Sequence, residues 1–250
     1  IEKDERYYQK YLDKGLDEKE ASYAALIEGM DKSLGDIMQH LKEKNLMENT
    51  IILFMSDNGG LSVHSRGGEP HTHNKPLSSG KGSIHEGGIR VPMIVKWPGV
   101  TIPGSTNDNY LIIEDFYPSI LEMAGVEDQP TVQKVDGKSF VGMLESNNSQ
   151  KSNNRPLFWH YPNEWGPKGP GIGAFSAIRK GDFKLIYYHI DESFELFNIR
   201  EDIGEESNLA ATKPEKVKEL AVILSAHLKE VEAQMPIHKE SGKTVAYPGE

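Results

Sequence analysis

Asp57 and Asn58 place a carboxylate and an amide oxygen side by side. Both are hard oxygen donors, the kind that Ca²⁺ or Mg²⁺ takes. Two donors cannot complete a coordination shell, so a metal site here needs further ligands. Asp57-Asn58-Gly59-Gly60 also has the composition of an ordinary turn. Further on, Gly80-Lys81-Gly82 sets one ammonium between two residues without side chains, so an anion can approach the backbone closely. The stretch 57–96 carries Arg66, Lys75, Lys81, Arg90 and Lys96 against Asp57, Glu69 and Glu86. It also holds His64, His71, His73 and His85, four of the nine histidines. A locally basic, histidine-rich stretch in an acidic chain points to an anionic substrate. Zinc has little support: His71 and His73 are two apart, and no helical His pair with an intervening Glu is present. Residues 80–83 do not make a P-loop, and there is no G-x-S-x-G elbow. The chain has no cysteine, which excludes disulfides, thiolate ligands and a cysteine nucleophile within it.

These residues need elements to hold them. Asp57-Asn58 follows the run Ile51-Ile52-Leu53-Phe54-Met55-Ser56, apolar without alternation, which predicts a strand buried on both faces of a parallel sheet. Polar groups just past the carboxyl end of such a strand lie where open α/β sheets bind ligands. Before it, Asp17 as N-cap with Glu20 three residues on predicts a helix over about residues 17–45. Its apolar stripe is Tyr23, Ile27, Met30, Leu34, Ile37, Met38 and Leu41. After it, residues 89–95 predict a second buried strand, closed by a turn at Trp97-Pro98-Gly99, and residues 111–113 a short extended piece. A helix over 115–124 carries Pro118 in its first turn and Gly125 at its end. The polar tract 146–154 reads as a loop or boundary. Beyond it, runs at 156–161, 174–179, 183–189 and 194–198 predict an antiparallel sheet, with Gly181-Asp182 as a hairpin turn. A last helix over 214–234 presents Val217, Leu220, Ala221, Leu224, Leu228 and Val231 on one face. The fold class is therefore α/β, a mostly parallel sheet flanked by helices, followed by a small α+β domain. The expected domains are 1–148 and 149–250.

The 250 residues carry 28 Lys and Arg against 38 Asp and Glu, a formal charge of −10. That acidity argues against a nucleic-acid partner. No apolar stretch reaches the roughly 18–20 residues that span a bilayer.

Four stretches carry a resemblance to the formylglycine-dependent sulfatases of the alkaline phosphatase superfamily, in their C-terminal portion. Residues 51–60 resemble the family's strand ending in Asp-Asn-Gly or Asp-His-Gly. The run Gly80-Lys81-Gly82-Ser83-Ile84-His85-Glu86-Gly87-Gly88-Ile89-Arg90-Val91-Pro92, with the residues from Pro76, resembles its most diagnostic C-terminal motif. Residues 115–126 resemble the helix that follows. Phe194-Glu195-Leu196-Phe197-Asn198, leading to Glu206-Ser207-Asn208-Leu209-Ala210, resembles the closing motif of the small domain.

The resemblance implies hydrolysis of sulfate esters. Asp57 and Asn58 would be two ligands of one divalent cation, usually Ca²⁺. Lys81 would contact the sulfate oxygens, while Glu86 and Arg90 would hold the loop. The family's Cys/Ser-x-Pro-x-x-Arg motif is absent from these residues, as are the N-terminal aspartates that complete the metal site. The expectation is a C-terminal part, inactive alone, whose formylglycine lies in a missing N-terminal part of the same enzyme. A sulfated carbohydrate is the expected substrate, with His73 and His160 as sugar contacts, and the aromatic stretch Phe158, Trp159, Tyr161 and Trp165 could face a sugar ring. Periplasmic or secreted location is expected. The rival readings are a metal-dependent phosphodiesterase or phosphonate hydrolase of the same superfamily, and a non-catalytic carbohydrate-binding fragment.

Overall fold

The computed structural model describes residues 2–62, 73–126, 131–145 and 155–250. His64, Arg66, Glu69, His71 and the tract 146–154 lie outside the described residues. The chain divides into two compact units, residues 1–53 with 95–101, and residues 54–94 with 102–250.

The first unit is built on α1 (Glu5–Leu12) and α2 (Glu18–Glu43). Asp17 caps α2 as its sequence predicts, accepting from the backbone N–H of Lys19 at 2.9 Å and of Glu20 at 3.0 Å. Lys10 of α1 pairs with Glu28 of α2 at 2.5 Å. The buried face of α2 is Ala21, Ser22, Ala25 and Gly29. A Cβ on Gly29 would overlap the Asp4 carboxylate, so the small face is what lets α1 approach. The expected apolar stripe lies elsewhere on the helix: Ile27, Met30 and Ile37 are 46%, 50% and 58% exposed.

Strands β1 (Ile52–Met55) and β2 (Met93–Lys96) form a two-stranded sheet. The four residues of β1 are half-buried rather than buried, because among the described residues the strand has one neighbour. The expected strand at 89–95 starts later. Its beginning is taken by a four-residue helix, α3 (Glu86–Ile89). Residues 111–113 form no strand and lead into a 3₁₀ turn, Ile113–Asp115, then α4 (Phe116–Met123), with Gly125 at φ +68° ending it. A short α5 (Val141–Glu145) follows.

The second unit is dominated by an antiparallel sheet of β3 (Leu157–Tyr161), β4 (Phe175–Lys180), β5 (Phe183–Tyr188) and β6 (Phe194–Asn198), in that order. Lys180 pairs with Phe183 across Gly181-Asp182, and Gly181 takes φ +60°, which the tight turn requires. Side chains alternate between two faces. Ile178, Leu185 and Leu196 pack with Leu220, Leu224 and Leu228 of α6 (Pro214–Glu230). Ala177, Ile186 and Phe197 pack on the opposite face with Ile84, which belongs to the diagnostic motif. Both faces of the sheet are thus covered, one by a helix and one by a loop.

Candidate active site

Asp57 and Asn58 lie just past the end of β1. Ser56 Oγ donates to the Asn58 carbonyl at 2.7 Å, and Asn58 Nδ2 donates to the Gly59 carbonyl at 3.1 Å. With its amide nitrogen so engaged, Asn58 has Oδ1 to offer a cation. The backbone beyond is interwoven with the 78–88 segment. Gly59 N–H donates to the Gly88 carbonyl at 2.9 Å, and Lys81 N–H donates to the Gly60 carbonyl at 3.0 Å. Asn74 Nδ2 clamps both strands of this weave, donating to the Gly60 carbonyl at 2.9 Å and the Ser79 carbonyl at 2.8 Å. A Cβ on Gly59 would overlap the Gly87 carbonyl, so the close approach demands glycine there. Asp57 and Lys81 are exposed and Asn58 is half-buried. His73 is exposed on the turn that carries Asn74.

Among the described residues no three His, Cys, Asp or Glu side chains are grouped to hold a metal ion. Adjacent carboxylate and amide oxygens nevertheless suit one hard cation as two of its ligands.

A buried charge cluster holds the segment that follows Lys81. Lys184 on β5 is fully buried, with Nζ 2.9 Å from Glu86 Oε1 and 2.6 Å from Glu205 Oε1. Arg90 and Arg179 each reach Glu86 Oε2 at 3.4 Å. Glu205 Oε2 accepts from the Glu86 N–H at 2.6 Å and so satisfies the start of α3. Burial works against ionisation of Glu86, but Lys184, Arg179 and Arg90 outweigh it and hold the carboxyl below its usual range. For Glu205 burial prevails over Lys184 and His85, and the carboxyl is pushed up. His85 is buried between Ser78 Oγ at 3.0 Å and Glu195 Oε2 at 3.2 Å. It lines a 640 Å³ cleft together with Asn74, Pro76, Glu195 and Glu205. Glu86 and Arg90 thus position the loop, as the resemblance implies. Lys184 and Glu205 were missed. The one signal was a lysine inside the apolar run Phe183-Lys184-Leu185-Ile186.

His160 has a different place from the one expected. Its Nδ1 meets Ser176 Oγ at 2.8 Å and its Nε2 meets the Gln234 carbonyl at 3.1 Å. Ser176 Oγ also meets His189 Nε2 at 2.8 Å, and burial, with His160 adding to it, pushes the His189 ring down to about 4. The bond to a carbonyl places a proton on His160 Nε2, and Nδ1 is engaged by the serine, which is shared with His189. Neither ring nitrogen of His160 is left for a sugar hydroxyl.

The family model for sulfatases matches residues 2–126, and that for the C-terminal part of N-sulphoglucosamine sulphohydrolase matches residues 80–234. The chain belongs to the sulfatase family. It is 36% identical over 215 residues to a sulfatase of Formosa agariphila, covering 80% of this chain and 38% of that protein. It is 27% identical over 246 residues to an N-acetylglucosamine-6-O-sulfatase of Bacteroides thetaiotaomicron, covering 97% of this chain and 39% of that protein. A protein solved with its substrate D-glucosamine-2-N,6-O-disulfate superposes at a TM-score of 0.69 and 27% identity, over 88% of this chain and 42% of that one. The chain therefore spans less than half the length of these relatives. No helix of the described residues is long and apolar enough to cross a membrane.

Proposed function

We propose that this protein hydrolyses a sulfate ester of a saccharide. The observation that carries the proposal is the backbone weave from Gly59 and Gly60 to Lys81 and Gly88, which ties the Asp57-Asn58 loop to Lys81. Asp57 and Asn58 contribute two oxygen ligands to one divalent cation, Ca²⁺. That ion, when bound, withdraws charge from the sulfate oxygens as a Lewis acid. Lys81 places its ammonium against the same sulfate, where fixed positive charge favours the more anionic transition state. Glu86, held by Lys184, anchors the segment that follows Lys81, and His73 stands at the rim as a sugar contact. The saccharide assignment is supported by relatives whose names specify sulfated glucosamine.

The nucleophile, a formylglycine, comes from a further part of the same enzyme, which also completes the metal shell. The share of the relatives' length that these residues span supports this reading. These residues alone are then inactive. A periplasmic or secreted setting follows the same family reading.

The test uses the full-length enzyme with a 6-O-sulfated glucosamine substrate and, as the rival, a phosphonate monoester. Sulfate release that chelation abolishes and Ca²⁺ restores is expected. Lys81→Ala should lower kcat by about 10²–10³-fold with the fold intact by circular dichroism. Preference for the phosphonate, or turnover lost only in step with folded protein, overturns the reading.

A further inference from the structure

Lys81 is followed by Gly82, which has φ +86° and no room for a side chain. A Cβ there would overlap the edge of the Trp165 six-membered ring, at Cζ3 and Cε3. The indole therefore occupies the place of the side chain that Gly82 lacks, one residue from the candidate sulfate-binding ammonium. Trp165 lies on the connection between β3 and β4, and that connection is fastened to the residues just after Gly82. Ile84 N–H donates to the Gly171 carbonyl at 2.9 Å, Ser83 Oγ donates to the Pro170 carbonyl at 2.8 Å, and Ser83 bridges to Ile172. Trp165 is nonetheless only half-buried, and its neighbours Asn163, Glu164 and Lys168 are exposed.

Two simpler roles account for less. A tryptophan serving only as core would be buried, as the sheet residues Ile178 and Ile186 are. A tryptophan idle on the surface would not sit against a glycine of the candidate site, on a connection bonded to the residues just after that glycine. An aromatic face with polar neighbours fits a saccharide ring, whose C–H face stacks on the indole while its hydroxyls find hydrogen-bonding partners at the rim.

We propose that Trp165 is a specificity-determining residue, the wall against which the sugar ring bearing the sulfate packs. The proposal rests on the reading of Lys81 as the sulfate-binding group. It assigns the small sheet domain a direct part in choosing the substrate, beyond bracing the loop.

The test uses the full-length enzyme with Trp165→Ala, Trp165→Leu and Trp165→Phe. Leucine keeps apolar packing on Gly82 without an aromatic face, and phenylalanine keeps the face. For 6-O-sulfated glucosamine, KM should rise about tenfold in the alanine and leucine variants with kcat nearly unchanged, and the phenylalanine variant should recover most of the loss. Inhibition by inorganic sulfate, which has no ring to stack, should be the same in all four proteins. If sulfate inhibition weakens in parallel with KM, Trp165 only props the Lys81 loop and the proposal fails. It fails as well if leucine behaves like tryptophan. Should alanine not fold, the leucine–phenylalanine pair decides. Failure of the underlying reading has its own signature: Lys81→Ala then leaves inorganic sulfate inhibition unchanged, whatever the Trp165 variants do.

Discussion

Lys184 anchors the segment that follows Lys81 through Glu86 and the Ile84 carbonyl. Its ammonium lies between Glu86 and Glu205, both buried, so its removal leaves Glu205 without its lysine partner and Glu86 with only its 3.4 Å contacts to Arg90 and Arg179. Lys184→Ala should cost about 3–5 kcal/mol of stability, read by urea denaturation. Surface pairs such as Lys134–Glu230 belong to a different regime and are worth about 0–1 kcal/mol. Glu86 also sets a pH dependence. Its carboxyl titrates below its ordinary value of 4.5 in the folded state, so its stabilisation is complete above 4.5 and fades as pH falls through the folded value. The stability gap between wild type and Glu86→Gln should be widest near pH 7 and close toward pH 3. A gap constant across that range would contradict the charge-based account. Glu205 runs the other way, since its raised value makes its contribution greatest at low pH and smaller as pH rises.

At the scale of elements, most of the architecture was legible. The Asp17 cap follows from capping chemistry, the 214–230 helix from its apolar face, and the four strands from short strand-like runs set apart by turn residues. What failed did so for physical reasons. Residues 86–89 form a helical turn because Glu205, distant in sequence, accepts from the first N–H of that turn. The face that α2 buries is its alanine and glycine face, since close approach of α1 favours small residues over large ones. His160 looked available because its partners Ser176 and Gln234 come from elsewhere in the chain. Asp57, Asn58 and Lys81 could be picked out by residue type and motif, but the weave that relates them is a matter of backbone bonds that no side chain announces. That weave gives a prediction of its own. A methyl on Gly88 would overlap the Ser83 carbonyl. Gly88→Ala should therefore shift the Lys81 loop and cut turnover by at least tenfold, for about 1–3 kcal/mol of overpacking. The near-ultraviolet circular dichroism of the small sheet should persist.

For the molecule as a whole, the stripe of Ile27, Met30 and Ile37 on α2 is the telling surface. Substitution at a truly exposed helical site costs less than about 0.5 kcal/mol. In the full-length enzyme, where the proposed remainder of the catalytic domain has to be accommodated, Ile37→Lys should instead cost about 2 kcal/mol, measured by thermal unfolding. A negligible cost would leave that face to solvent. Within the second unit, Ile84 from the Lys81 loop shares a core with Ala177, Ile186 and Phe197. The loop therefore has no independent route to melting: freeing Ile84 opens the same cluster that closes one side of the strands. Amide protons at Ile84 and at Ile186 should then exchange with solvent through one shared opening event, so that tightening of the Lys81 loop slows deuterium uptake across the sheet.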